Sequence, residues 1–277
     1  MVQLQSALEH YRRQRRIATL GLIGARREQQ RGNLKRALAL VTFAQLQAAQ
    51  DAVTASQDML DEQGVRAPAI AAVDAAALAG VASDGRDLLG LLQAVSRPEA
   101  PAGSFDRAVL TQISDAGRAG GAVSIAARPK VTGYVRMLVP PSCSRCAILA
   151  GKEYRWNQGF QRHPHCDCRH IPATERTARH LTTDPRAYFD SLDAAQQERL
   201  FTKAGAQAIR DGADAAQVVN ARRGMATAQV GSERVLATRA GATRGRVRLM
   251  PETIMQIAGS DRLEAIRLLR LHGYLRD

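Results

Sequence analysis

Aromatic residues supply only 4% of this 277-residue chain, with a single tryptophan, so a core of stacked rings is not expected and contact with nucleic acid by base stacking has little to work with. Lysine is also scarce: Lys35, Lys130, Lys152 and Lys203 are the whole set, and arginine supplies the other 35 of 39 basic residues. Because abundant alanine with arginine in place of lysine is also what a GC-rich genome produces, arginine content alone names no partner. No apolar run reaches the roughly 20 residues needed to cross a bilayer. The longest candidate, 69–82, is broken by Asp74, and the apolar stretch 17–25, which faintly resembles an export signal, is cut short by Arg26 and Arg27. A soluble protein with no membrane partner is expected. Internal repeats, long heptad runs and low-complexity tracts are absent as well. Cysteine is confined to four positions within residues 143–168, and that clustering points to a metal site and not to a disulfide framework.

What the chain does have is helix-forming alanine and leucine, an ordinary 45% hydrophobic content and a net charge of +13. The charge is uneven. Residues 1–36 carry Arg12, Arg13, Arg15, Arg16, Arg26, Arg27, Arg31, Lys35 and Arg36 against Glu9 and Glu28, an excess of nine minus two, or seven. A second zone, 222–248, sets Arg222, Arg223, Arg234, Arg239, Arg244, Arg246 and Arg248 against Glu233. Two basic ends suit a polyanionic neighbour, either packaged DNA met non-specifically or an acidic protein surface. Two solvated, mutually repelling faces would read the same way.

Apolar spacing predicts an N-terminal helix (Leu4, Ala7, Leu8, Tyr11), a second over 33–62, and shorter helices over 68–82 and 84–96. Two prolines and a glycine within 97–103 mark a linker, taken as 98–104, between an N-terminal helical region (1–97) and a second domain (105–277). A helix is predicted from Phe105 to about Arg118, and a strand over 130–139 ending at Pro140-Pro141. Asp193 with Gln196 and Asp214 with Gln217 read as capping boxes opening helices 193–210 and 214–222, with Gly212 and Gly224 closing them in the left-handed conformation. Pro251 suits the first turn of a helix through Ala258, and Asp261 with Glu264 opens a last helix ending at Gly273. The fold class expected is α+β, predominantly α-helical, with a few short strands around a small Cys/His metal knuckle.

That knuckle, at 140–172, is the chemically informative segment. Cys143-x-x-Cys146 can turn two thiolates toward one ion, and His163-Pro-His-Cys166-x-Cys168 supplies a second group after a gap of 16 residues. A tetrahedral structural zinc needs four ligands. The preferred set is Cys143, Cys146, His163 and Cys166, with Cys168 the main substitute and His165 and His170 further donors. Disulfides or buried thiols are the alternative to metal. A catalytic zinc would keep an open position beside a base such as Glu153, His165 or Asp167, but three or four thiolates saturate the ion. Ser142 and Ser144 have no Gly-x-Ser-x-Gly setting, so no serine nucleophile is indicated.

The order Cys-x-x-Cys, Leu149-Ala-Gly-Lys, Tyr154 with Trp156, Gly159-Phe160, then His163-Pro-x-Cys166-x-Cys168 resembles the knuckle of the phage Mu F-like minor head proteins, in the form carried by actinobacterial phages and prophages. Downstream text is similar too: Tyr188-Phe189-Asp190-Ser191-Leu192, the stretch from Phe201 to Asp214, Val219-Asn-Ala-Arg-Arg223-Gly224-Met225, and Leu269-Arg-Leu-His-Gly-Tyr274. The resemblance spans about 105–277. It implies a minor capsid protein that acts in head morphogenesis, associates with the portal and other capsid proteins, resides in the host cytoplasm during assembly and then in the virion head, and contacts DNA non-specifically through its basic ends. Members are often labelled capsid maturation proteases. A hydrolase, either such a protease or a metal-dependent nuclease, is therefore the other function class, although no catalytic constellation is visible in the sequence.

Overall fold

A computed structural model describes residues 4–158, 169–241 and 247–275. Among these, the helices are α1 (Gln5–Gln30), α2 (Leu34–Glu62), α3 (Leu88–Val95), α4 (Ser104–Ala126), α5 (Ser144–Ala150), α6 (Glu175–Leu181), α7 (Pro185–Asp190), α8 (Ala194–Phe201), α9 (Lys203–Arg210), α10 (Ala215–Ala221), α11 (Pro251–Ala258) and α12 (Arg262–Leu271). The strands are β1 (Gly133–Met137), β2 (Glu153–Arg155), β3 (Arg169–Ala173), β4 (Met225–Val230), β5 (Glu233–Thr238) and β6 (Arg248–Leu249). The chain is α+β and predominantly helical. No helix is long and apolar enough to cross a membrane among the described residues.

Alanine and glycine explain how the first helices pack so closely. The chain reverses between α1 and α2 at Gly32, whose φ of +74° suits glycine, and the Asn33 side chain caps α2 by accepting the Arg36 amide at 3.2 Å. α1 has no side-chain cap of its own at Leu4. Instead Glu62, the last residue of α2, accepts the Gln5 amide at 2.8 Å and the Ser6 amide at 2.9 Å. Desolvation of Glu62 opposes ionisation, but the bonds from Ser6 and Gln5 outweigh it and hold the carboxyl below its ordinary value. α4 then lies across both helices. A Cβ at Gly120 would stand 2.6 Å from the Ala49 carbonyl oxygen, and the surrounding core is Ala18, Ala25, Ala37, Val41, Ala44 and Ile113. Leu88 and Leu92 of α3 close this core.

The predicted helix at 68–82 reduces to a single 3₁₀ turn, Ala75–Leu78, capped by Asp74, and the one at 84–96 begins only at Leu88, where Asp87 caps it through the Gly90 amide at 2.6 Å. Two short-range caps, at Asp74 and Asp87, thus start each element later than apolar spacing alone predicts. The predicted helix at Phe105 runs on to Ala126. It shares one core with α1 and α2, so hydrophobic packing is continuous across residues 98–104.

Two antiparallel sheets of three strands follow, ordered β2-β1-β3 and β4-β5-β6. The first sits on the helices: Leu4, Ala7, Ala55 and Met59 pack with Val135, Met137, Ile171 and Ala173, and Gln63 donates to the Pro172 carbonyl at 2.9 Å. Gly133 is required in β1 because a Cβ there would lie 2.1 Å from the Tyr154 carbonyl oxygen. The second sheet departs from expectation, which placed strands only near the cysteines. β4 and β5 form a hairpin from Met225↔Thr238 to Val230↔Glu233, and Gly231 (φ +61°) with Ser232 makes the two-residue turn, glycine standing first as a type II′ turn requires.

Helices α5 and α7–α12 gather around Tyr188, Phe189, Phe201, Ile254, Leu269 and Tyr274. The predicted helix at 193–210 is broken at Thr202 (φ +68°), which ends α8 and caps α9 by accepting the Gly205 amide at 3.2 Å. The Asp193–Gln196 capping box is present, and Gly212 (φ +102°) and Gly273 (φ +68°) take the left-handed conformation. Gly224 does not. Its requirement is close approach, since a Cβ would stand 2.6 Å from the Ala240 amide nitrogen.

Candidate functional site

The Cys143 turn is set by its flanks. β1 ends at Met137 and Leu138 enters the C-terminal core, after which Tyr188 of α7 clamps the turn. The Tyr188 hydroxyl donates to the Ser142 carbonyl at 2.8 Å and accepts the Ser142 amide at 2.9 Å. Cys143 then caps α5, its Sγ accepting the Cys146 amide at 3.4 Å. The three-residue spacing places one cysteine at the N-cap and the other within the first turn of α5, and an amide aimed at sulfur stabilises thiolate charge. Cys146 is buried among Leu138, Ala147 and Ile148, while Cys143 is half-buried. Cys143 and Cys146 are thus the two described cysteines that could hold a metal.

His163, Cys166 and Cys168, like His165 and Asp167, lie outside the described residues. Arg169, covalently next to Cys168, opens β3 opposite Met137, so the β1–β3 register returns the chain to the strand that leads into Cys143. His170 stands opposite Arg136, with its ring 4.5 Å from that of Tyr134. Among the described residues no group of three or more His, Cys, Asp or Glu side chains is placed to share an ion.

Sequence reading missed a buried polar seam where α1 and α2 meet β3. The His10 Nδ1 donates to Asp51 Oδ2 at 2.7 Å, Gln14 donates to the same oxygen at 2.9 Å, and Arg13 pairs with the other oxygen. Burial pushes the His10 pKa down despite the Asp51 bond, so the ring is neutral at pH 7. Desolvation would raise the Asp51 carboxyl, but hydrogen bonds from His10, Gln14 and Arg13 outweigh it and hold it low. The adjoining cavity is about 20 Å³, room for a water molecule and no substrate, so the pair is structural. A histidine at helical spacing with buried alanines was the only signal available.

A larger cavity of about 680 Å³ opens between α4 and the first sheet, bounded by Gln45, Gln112 and Ala116 on one side and Tyr134, Trp156 and His170 on the other. Tyr134 and Tyr154 stack at 5.2 Å, and burial lifts the Tyr134 hydroxyl to about 12, keeping it a donor to the Gln158 carbonyl.

The two basic zones differ in kind. In the first, Arg13 pairs with Asp51, Arg26 with Asp106 and Arg31 with Glu28, while Arg12, Arg16, Arg27, Lys35 and Arg36 are exposed and make no ion pair among the described residues. In the second, Arg248 is buried. It donates to the carbonyls of His272 at 2.8 Å and Ala240 at 2.5 Å, and stacks 4.2 Å from the Tyr274 ring. Arg222 pairs with Glu252 at 2.8 Å. Part of that zone is thus internal framework.

Comparison with known proteins gives one positive result: a family model described as VG15 protein matches residues 2–195. No curated protein and no solved structure matches the chain. The matched region runs from α1 through the first sheet and the Cys143 turn to the start of α8, well over half of the sequence. The chain belongs to the VG15 protein family, a family of viral gene products, and is a phage-related protein.

Proposed function

We propose that this protein is a minor head protein of a tailed phage or prophage, associating with the portal and other capsid proteins during assembly in the host cytoplasm and remaining in the virion head. The carrying observation is the family match across residues 2–195. The resemblance of 105–277 to the Mu F-like minor head proteins supports the finer role. Exposed Arg234 and Arg239, on and just past β5, are the members of the second basic zone offered to DNA.

Within this role, four of Cys143, Cys146, His163, Cys166 and Cys168 hold a structural zinc. The fit rests on the Cys143 turn: one cysteine at the N-cap of α5, the other in its first turn, and a backbone amide directed at the Cys143 sulfur. When bound, the ion would tie the two halves of the segment together. Tyr188 fixes the backbone ahead of the first ligand, and the α5 helix fixes the second.

Mass spectrometry of purified heads tests the role. The protein is expected in few copies alongside the portal. Its absence from heads that contain processed major capsid protein would overturn the assignment and favour a maturation protease. Native mass spectrometry of the purified chain should show one zinc per chain, lost in a Cys143→Ser, Cys146→Ser variant.

A further inference from the structure

The outward face of the α1–α2 hairpin carries an apolar strip that folding leaves uncovered. On α1, Leu20 and Ile23 are 58% and 59% exposed; on α2, Leu40 and Phe43 are 39% and 58% exposed. Their placement follows from the register between the helices. A Cβ at Gly21 would lie 2.8 Å from the Ala44 Cβ, and one at Gly24 would lie 3.2 Å from the Leu40 side chain. Leu20 is therefore level with Phe43, and Ile23 with Leu40. Ala18, Ala25 and Val41 point to the opposite side, toward the core shared with α4. The four exposed side chains form one patch across two parallel ridges.

Charge surrounds the patch. Arg16 precedes Leu20 by one turn, Arg27 follows Ile23 by one turn, and Arg36 precedes Leu40 by one turn, which puts a cation at either end of the α1 strip and one beside it on α2. All three are exposed and make no ion pair among the described residues, so no described acid neutralises the rim there. A second copy of the chain would bring this positive rim against its like. A DNA backbone would meet the arginines but would leave four apolar side chains facing phosphate and water, for no return. A helix with a Leu/Ile stripe flanked by Asp or Glu matches both parts: its stripe seats between the two ridges and its acids meet the rim.

We propose that this face, centred on Leu20, Ile23, Leu40 and Phe43, docks an acidic amphipathic helix of a partner protein. The inference gives a partner class to the head-protein role but stands on the geometry of α1 and α2, so absence from virions would overturn that role and leave this surface intact.

Fluorescence anisotropy with the full chain tests it. The probe is a labelled amphipathic peptide of about 20 residues, Leu and Ile on one face with Glu on both flanks; controls are a scrambled peptide of the same composition, a short DNA duplex and phosphatidylglycerol vesicles. The designed peptide should bind, weaken as salt rises, and lose about ten-fold or more in affinity with Leu20→Ser, Phe43→Ser. Because these positions are exposed, unfolding midpoints should hold; if that pair lowers the midpoint, Ile23→Ser is read instead. Arg16→Glu, Arg27→Glu should abolish binding of the Glu peptide and restore it for a Lys-flanked version. No binding of the designed peptide, equal binding of the scrambled one, or binding indifferent to the serine substitutions overturns the proposal. So does a duplex or vesicle that binds more tightly than the peptide and ignores the same substitutions.

Discussion

Single buried polar residues set much of what this chain tolerates. Arg248 reaches the carbonyls of His272 and Ala240 and the Gln217 side chain at 3.1 Å with one planar fork, beneath the Tyr274 ring. A lysine donates from one point and cannot serve all three, so Arg248→Lys should cost roughly 2–4 kcal/mol in urea unfolding. A change below about 0.5 kcal/mol would show that the carbonyls find other donors. His10 gives a pH dependence whose sign is fixed by its lowered pKa. The unfolded chain binds a proton below the ordinary value of 6.5 that the folded chain refuses, so stability falls as pH drops through that value. Asp51, also lowered, adds a loss in the same direction below its ordinary 3.8. Arg13 and Arg169 face the imidazole and reinforce its neutrality. His272, lowered by burial and by Arg248, titrates alongside. Replacing His10 by Gln in a His272→Gln background should therefore flatten the thermal midpoint between pH 7 and pH 5, and an unchanged slope would remove His10 from the account. These roles were not legible beforehand, because a sequence shows an arginine-rich stretch and a lone histidine without showing which of them fold inward.

At the scale of elements, legibility tracks how local the cause is. The Asp193–Gln196 box, the Pro251 start and the left-handed Gly273 were readable because each is decided within a few residues. The break at Thr202 was not, since its hydroxyl is bonded both by the Gly205 amide and by Arg222 at 3.0 Å, 20 residues away. The β4–β5 hairpin escaped because Ala226 and Ala228 are weak strand formers. Glycine within α4 provides a sharper test of tertiary cause against local propensity. Gly120 and Gly121 are neighbours in one helix, and alanine is favoured over glycine by about 1 kcal/mol in helix interiors. A Cβ at Gly121 meets nothing within 4 Å, whereas one at Gly120 meets the Ala49 backbone at 2.6 to 3.1 Å. Gly121→Ala should accordingly stabilise the protein by roughly 0.5–1 kcal/mol. Gly120→Ala should destabilise it by about 1–3 kcal/mol, because backbone cannot step aside as a side chain tip can. Equal effects from the two would mean that α4 shifts freely on α2.

For the whole molecule, the candidate metal turn belongs to one core and the N-terminal bundle to another. Cys146 packs with Leu138, Tyr188 and Phe201, while Val41, Ala44, Leu92 and Ile113 pack among themselves. The first sheet joins them through Val135 and Met137 against Ala55 and Met59. Cysteine spacing made half of this candidate site legible, the turn that places Cys143 and Cys146; its attachment to the C-terminal core was not, because that depends on Tyr188, 42 residues beyond Cys146. The division predicts what loss of the proposed zinc does. Removing the ion with a chelator should leave two thiols, reprotonated as the metal departs, at the entrance to α5 beside an apolar core, with the free energy of ligation withdrawn from folding. Hydrogen exchange should then rise in α5, in the ends of β1 and β3, and in α7, whose Tyr188 loses a fixed turn to clamp. The amides of α2 and α4, packed on one another where Gly120 meets Ala49, should keep their protection, and far-ultraviolet circular dichroism should retain most of its helical signal. Added zinc should reverse the change. If α2 and α4 open together with α5, the first sheet couples the two cores into one cooperative unit, and the staple supports the whole protein instead of its C-terminal part; if no segment responds in a chain shown to have lost zinc, the metal does not hold this fold together.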